Sequence, residues 1–336
     1  MELYLDSANI NEIEEASKLG IIHGLTTTPT FMHRDGITDI DATIIKLAEM
    51  VPVLQVEALG EKHQDIIYEA HRLIELGLDS KKTVFKIPVS IEGIIACRAL
   101  IDEGLLVNIH LVYTVQQAYM ALNAGASYVC PLVGRLQDQG HDALSLVEQC
   151  VDTVDRYNYA SKIMFSSVRH PEHVRNALNI GVHACTIPWK VMKLCFHNHF
   201  TEIGTQQFFE HTRLMTLKVK DVIRRTPAII TADHKILDAL VDMTRSTFGA
   251  VTIVDRQGNL KGIFTDGDLR RMLKNEGENI LDRKLSELPE KLPVTIDAEA
   301  SLYNAQQLFK EKAIDNIVVV DNGKPVGIMD IHDLLK

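Results

Sequence analysis

The 336-residue sequence has no apolar run near the ~18 residues that a membrane-spanning helix needs. Its amino terminus, Met1-Glu2-Leu3-Tyr4-Leu5-Asp6, enters a strand-like pattern with no basic leader, so no secretory signal is visible. Positive charge is scarce too. Lys and Arg number 35 against 45 Asp and Glu, a net charge of −10, which argues against a general nucleic-acid or anionic-membrane binder. Five cysteines (Cys97, Cys130, Cys150, Cys185, Cys195) lack paired metal spacing and read as free thiols in a reducing cytoplasm. No Gly-x-Gly-x-x-Gly follows the first strand, which counts against a dinucleotide-binding sheet. What is left, 46% apolar and 24% charged, suits a globular protein of one large and one smaller domain, or two or three modest ones.

Up to about residue 200, short apolar runs alternate with helical patterns. Strands are expected at Glu2–Asp6, Ile22–Thr26, Val53–Glu57, Thr83–Ile87, Leu105–Ile109, Ser127–Cys130, Ser161–Phe165 and Val182–Thr186. Helical stretches such as Asn9–Lys18, Lys62–Leu76, Ile91–Ile101 and Ala143–Arg156 lie between them, and Gly20, Gly77, Gly104, Gly125 and Gly181 sit where helices stop. Eight such units predict an α/β fold, a closed parallel (β/α)8 barrel, with an open doubly wound sheet as the alternative.

In such a barrel, chemistry belongs at the carboxyl ends of the strands. Strand four ends in Lys86, just before Pro88, which cannot donate to a sheet ladder. A lysine held in a dry cavity loses its preference for the ammonium form, and the neutral amine can attack a ketone carbon to make a Schiff base. The plainer reading is a lysine whose charge snorkels to water. Around the same mouth the sequence places Asp6, Thr26 to Thr28, Gln55 and Glu57, Asn108 and His110, Cys130, Ser166 and Ser167. Arg135, Ser167 and Arg169 could hold a phosphate through forked hydrogen bonds, or form surface ion pairs. Asp6 could instead cap the helix from Asn9, and His110 and Cys130 could be satisfied buried side chains.

Four segments, ELYLDSANI, GLTTTPT, FKIPVS and YVCPLVGRLQDQG, resemble the small-subunit transaldolase and fructose-6-phosphate aldolase family, in order and over about the first 215 residues. The resemblance implies a Schiff-base role for Lys86 and an acid/base role for Asp6. It places Gln55 at the catalytic water, and Thr26, Asn108 and Cys130 about the substrate. Arg135, Ser167 and Arg169 match the phosphate-binding set. Three positions depart from the family pattern: Thr28 replaces an asparagine, His110 a threonine near the water, and Leu132 an aromatic residue after the proline. His110 could itself shuttle the proton. No metal or other cofactor is expected, since a protonated imine serves as the electron sink.

After a helical segment at Thr201–Lys218, whose Phe208, Phe209, Leu214 and Leu217 could form an apolar face, the texture changes. Two similar units follow within residues 219–336, each with a helix and two strands joined by a glycine turn (Gln257-Gly258-Asn259 and Asp321-Asn322-Gly323). They resemble a tandem pair of CBS motifs, an α+β module, and GIFTDGDLRR is close to the tail of arabinose-5-phosphate isomerases. The resemblance implies a ribose site at Thr265 and Asp268. The second copy has Asp330 in place of the hydroxyl and keeps Asp333. A structural dimerisation module is the competing view.

The expectation is thus a barrel over 1–218 acting on sugar phosphates by Schiff-base transaldolase or aldolase chemistry, with a regulatory module over 219–336. A nucleotide or nucleotide sugar would bind the module, in a surface-polysaccharide or other carbohydrate pathway. The chain is expected to form a homo-oligomer in the cytoplasm, without nucleic-acid or membrane partners. The alternatives are an inactive sugar-phosphate or nucleotide sensor, and a different class I aldolase.

Overall fold

The computed structural model describes residues 1–223 and 228–335. Eight parallel strands close into a barrel in sequence order: β1 (Glu2–Asp6), β2 (Gly24–Thr26), β3 (Leu54–Glu57), β4 (Thr83–Pro88), β5 (Leu106–Val112), β6 (Tyr128–Pro131), β7 (Lys162–Phe165) and β8 (Ala184–Ile187). The ring is completed by β8 against β1, with Tyr4 opposite Thr186. The open doubly wound sheet is thereby excluded. All five glycines read as helix stops have positive φ, from 68° at Gly20 to 124° at Gly77, a region that costs a side-chain-bearing residue energy.

The alternation of side chains along each strand separates two apolar layers. One face packs on the surrounding helices through Leu5, Leu25, Phe85, Ile87, Ile109 and Phe165, all essentially without solvent exposure. The other face fills the barrel with Tyr4, Val84, Tyr128, Cys130, Met164 and Ala184. Tyr4 and Tyr128 share a hydrogen bond of 3.0 Å inside it, and the Tyr128 hydroxyl donates to Glu2 at 2.8 Å.

By contacts the chain divides into two compact units, Met1–His197 and Asn198–Lys336. This division falls earlier than the boundary at 218/219 read from the sequence. The helix His199–Thr216 goes with the second unit because Leu214 and Leu217 pack into a cluster with Leu302, Phe309 and Met329. The four apolar residues assigned to one face therefore separate: Phe208 and Phe209 are exposed.

The second unit contains two three-stranded sheets, β9 (Ile229–Thr231), β10 (Ala250–Val254) and β11 (Leu260–Thr265), then β12 (Thr295–Asp297), β13 (Asn316–Asp321) and β14 (Lys324–Asp330). Each first strand pairs parallel with the middle strand, which pairs antiparallel with the third. The repeat seen in the sequence is a repeat in structure, and Val318 and Ile328 of the second copy complete the core of the first. Asn322 and Gly323 have φ of 48° and 77°, as a tight hairpin turn demands. Pro227, read as part of the first repeat, lies outside the described residues. No helix among the described residues is long and apolar enough to cross a membrane.

Candidate active site

The carboxyl ends of the barrel strands enclose a cavity of about 610 Å³. Of the residues read from the sequence, Asp6, Thr26, Thr28, Lys86, His110, Cys130, Leu132, Arg135, Ser167 and Arg169 line it. Gln55 and Asn108 do not. Each sits two residues before a lining residue on the same strand face, Gln55 before Glu57 and Asn108 before His110, and so lies one layer deeper. Both are fully buried, and Asn108 Nδ2 donates to Gln55 Oε1 at 2.6 Å. They form the floor beneath the site, whereas Glu57 reaches the mouth.

Lys86 is 5% exposed, and its Nζ lies 2.9 Å from Glu57 Oε1 and donates to the Thr27 carbonyl at 3.0 Å. The snorkelling alternative is ruled out, and so is an apolar, charge-free socket. Neighbouring strands meet in register here, Glu57 opposite Lys86 and Pro88 opposite His110. Glu57 Oε2 lies 2.9 Å from His110 Nε2, off the line of a well-formed hydrogen bond, and neither atom has another hydrogen-bond partner. Burial would raise the Glu57 carboxyl, but Lys86 and His110 outweigh it and hold it below the usual carboxylate range. Burial lowers the His110 imidazole below its ordinary value, only partly opposed by Glu57, so the ring is neutral.

Asp6 is not a helix cap. Asn9 takes that place, its Oδ1 accepting from the backbone N–H of Asn11 and Glu12. Asp6 instead accepts from Thr26 Oγ1 at 2.8 Å, and Thr26 also bonds Thr186. Burial pushes the Asp6 carboxyl above the usual range, against the pull of Lys86 and Thr26. A raised carboxyl pKa suits a group that must both take and return a proton. Burial likewise lifts the Cys130 thiol to about 11, so it lines the wall without thiolate character. The Thr28 hydroxyl caps the helix Pro29–Arg34 by accepting from Phe31 N.

The side of the cavity carrying Arg135, Ser167 and Arg169 rests on an intimate backbone contact. Gly134 lies where an added Cβ would stand 2.0 Å from the Ser167 carbonyl oxygen and 2.8 Å from Arg169 Nε, so no larger residue fits. Ser167 itself has φ 60°. Arg169 pairs with Asp138 at 2.8 Å, and its backbone N–H donates to buried His173 Nδ1 at 3.2 Å. Glu57 and Ser166, placed at the mouth from the sequence without a role, also line the cavity, as do Thr186 and Trp189, which sequence reasoning had not named as site residues. The signal for Thr186 was available: it is a polar residue at an expected strand's end.

In the second unit, Thr265 and Asp268 form a capping box on the helix Asp266–Glu276. Asp268 also pairs with Lys291 at 2.9 Å and with Arg271 at 2.6 Å. Partial burial opposes ionisation, yet Lys291, Thr265 and Arg271 bring the Asp268 carboxyl down to about 2. Asp268 lines a cavity of about 380 Å³ with Lys261, Lys291 and Ser286, whereas Thr265 is not in its wall. In the second copy Asp333 is fully buried and accepts from the Asp330 backbone N–H at 2.9 Å, the same capping geometry.

Fold and pocket together define a parallel (β/α)8 barrel protein with a buried lysine–carboxylate pair at the strand carboxyl ends. The transaldolase/fructose-6-phosphate aldolase family matches residues 3–261, and the CBS domain family matches residues 285–336. The chain belongs to the transaldolase/fructose-6-phosphate aldolase family. A probable transaldolase of Thermoanaerobacter sp. (strain X514) is 36% identical over 220 residues, 65% of this chain and all of that protein. One from Coprothermobacter proteolyticus is 38% identical over 210 residues, 62% of this chain and 94% of that one. These relatives are therefore about as long as the barrel plus one helix. A solved CBS domain from a membrane protein of Sphaerobacter thermophilus is similar at 21% identity and TM-score 0.35, covering 41% of this chain and 96% of that one.

Proposed function

We propose that the barrel is a Schiff-base transaldolase or aldolase of sugar phosphates, with Lys86 as the covalent residue. The observation that carries this reading is the lysine itself, buried in the cavity wall with Asp6, Glu57 and His110 beside it. Nζ attacks the ketone carbon, the carbonyl oxygen leaves as water, and a protonated imine results. Asp6 then takes the proton of the hydroxyl on the carbon two away from the imine carbon, and the bond joining that carbon to the one next to the imine breaks. Its electrons pass into the imine, giving a lysine-bound enamine and a free aldehyde. The enamine adds to an acceptor aldehyde, or is protonated and released by water. Arg135, Arg169 and Ser167 hold the phosphate, through charge-assisted hydrogen bonds that fix the sugar's orientation.

Borohydride reduction in the presence of fructose 6-phosphate or dihydroxyacetone, followed by peptide mass spectrometry, tests the reading. A three-carbon adduct on Lys86 supports it, and a two-carbon adduct formed with deoxyribose 5-phosphate would move the protein to a different aldolase class. No adduct with any ketose would support the sensor alternative.

The second unit, in the same reading, senses a nucleotide or nucleotide sugar of a carbohydrate pathway in its first repeat. Asp268 in the wall of the cavity supports this, although a ribose would have to displace Lys291 from it. Calorimetry with AMP and UDP-glucose, on wild type and Asp268→Ala, decides the matter: no heat from either ligand on the wild type ends the proposal.

A further inference from the structure

Glu57 is the residue whose position the established family resemblance does not account for. Both of its oxygens are engaged by groups of the site, Oε1 by Lys86 Nζ at 2.9 Å and Oε2 by His110 Nε2 at 2.9 Å. Its side chain is 7% exposed, and that small exposure opens into the cavity. Asp6 is bonded to Thr26 and has no such contact with the amine. The carboxylate beside the nitrogen is therefore a different one from the carboxylate assigned to the carbon–carbon bond.

We propose that Glu57 carries protons between Lys86 Nζ and the substrate's carbonyl oxygen during imine formation and hydrolysis, with His110 behind it as the positioning residue. The inference rests on the Schiff-base reading of Lys86. Imine formation requires two protons to travel from nitrogen to oxygen: an ammonium with three hydrogens and a ketone become an iminium with one hydrogen and a water. Glu57 takes the first proton from the ammonium, freeing the lone pair that forms the C–N bond, and returns it to the carbonyl oxygen as the π bond opens. It takes the second from the carbinolamine nitrogen and delivers it to the hydroxyl, which leaves as water when the C–O bond breaks. Charge is the same at both ends, and no co-reactant is needed. Hydrolysis runs the same path backwards.

A neutral imidazole with hydrogen on Nε2 donates toward Oε2 and turns the other oxygen to the amine. The charged and titratable groups facing this imidazole are Glu57, Lys86 and Arg135; burial, with the two cations assisting, keeps it from gaining a proton of its own against the pull of Glu57. The competing account makes Glu57 a counter-ion only, and it predicts the opposite kinetics. Removing a mere counter-ion releases the amine from its charge and leaves trapping at neutral pH unchanged or faster.

The test is the rate of Lys86 adduct formation with saturating dihydroxyacetone and cyanoborohydride, across pH, in the full-length protein. Glu57→Gln should slow it by ~100-fold or more, and formate should restore part of the rate in Glu57→Ala. His110→Gln should slow it by about tenfold and change the pH profile. A Glu57→Gln rate equal to or above wild type overturns the proposal. If that variant does not fold, a wild-type rate and profile in His110→Gln overturn it instead. The absence of any adduct in the wild type would remove the lysine reading itself, before a Glu57 variant is made.

Discussion

Two lysine–carboxylate pairs line cavities of this molecule in opposite settings. Lys86–Glu57 in the barrel and Lys291–Asp268 in the second unit are both 2.9 Å apart, and both line a cavity. The first pair is 6% and 7% exposed; the second pairs a half-exposed lysine with a carboxylate at 18%. Removing one partner of a buried pair strands a charge, at a cost of about 3–5 kcal/mol, whereas an exposed pair contributes about 0–1. Burial thus makes the Lys86 amine expensive to displace by anything except a group that reacts with it. The Asp268 site is one from which a ligand can push the lysine aside.

The sharpest way to break this contrast is Lys86→Met, which should abolish ketose adducts and reduce turnover to background, read by borohydride trapping and aldehyde release. Next comes Asp6→Asn. Carbon–carbon cleavage should fall by ~10²–10⁴-fold while the Lys86 adduct still forms. Equal loss of both steps would mean that Asp6 serves the nitrogen as well, and the division of labour with Glu57 would fail.

Burial also sets a pH response within the barrel. His173, 1% exposed, is lowered to about 4 by desolvation and by the nearby His170 and Arg169. The unfolded chain binds a proton near 6.5 and the folded one does not until about 4, so stability rises with pH across that window. Lowering the pH from 7 to 4 should cost roughly 3 kcal/mol at most, measured by urea unfolding, and His173→Gln should flatten the slope. The smallest effect belongs to Lys291→Ala, where loss of the exposed pair should change stability by less than about 1 kcal/mol. Asp268 acts in the same sense as His173 but in a more acid window: its depressed carboxyl stabilises above the unfolded value near 3.9, and that stabilisation is lost as pH falls toward 2.

Much of this was legible in the sequence because one rule, polar residues at strand carboxyl ends, needs only the strand ends to be right. Seven of the eight strands fall within a residue or two of their expected places, marked by β-branched runs and glycine stops, and β5 runs three residues further than expected, to Val112. Lys86, Asp6, Thr26, His110, Arg135 and Arg169 then converge without further information. Depth along a strand was not legible. Gln55 and Glu57 share a face, and only the register against Lys86 shows which of them reaches the mouth. The helix His199–Thr216 was also opaque, since none of its residues is buried and its partner is decided by Leu214 and Leu217 meeting residues a hundred positions away. In the second unit, a Thr-x-x-Asp pattern reads the same whether it caps a helix or binds a sugar, and the side-chain hydrogen bonds of Thr265 show the capping use.

The contact at Gly134 has one more consequence. With no side chain between the segment carrying Arg135 and the turn carrying Arg169, main chain lies directly against main chain there. Under the proposed function this contact leaves that side of the cavity little freedom to widen, so a diphosphate or a bulky sulfonate should bind worse than a single phosphate.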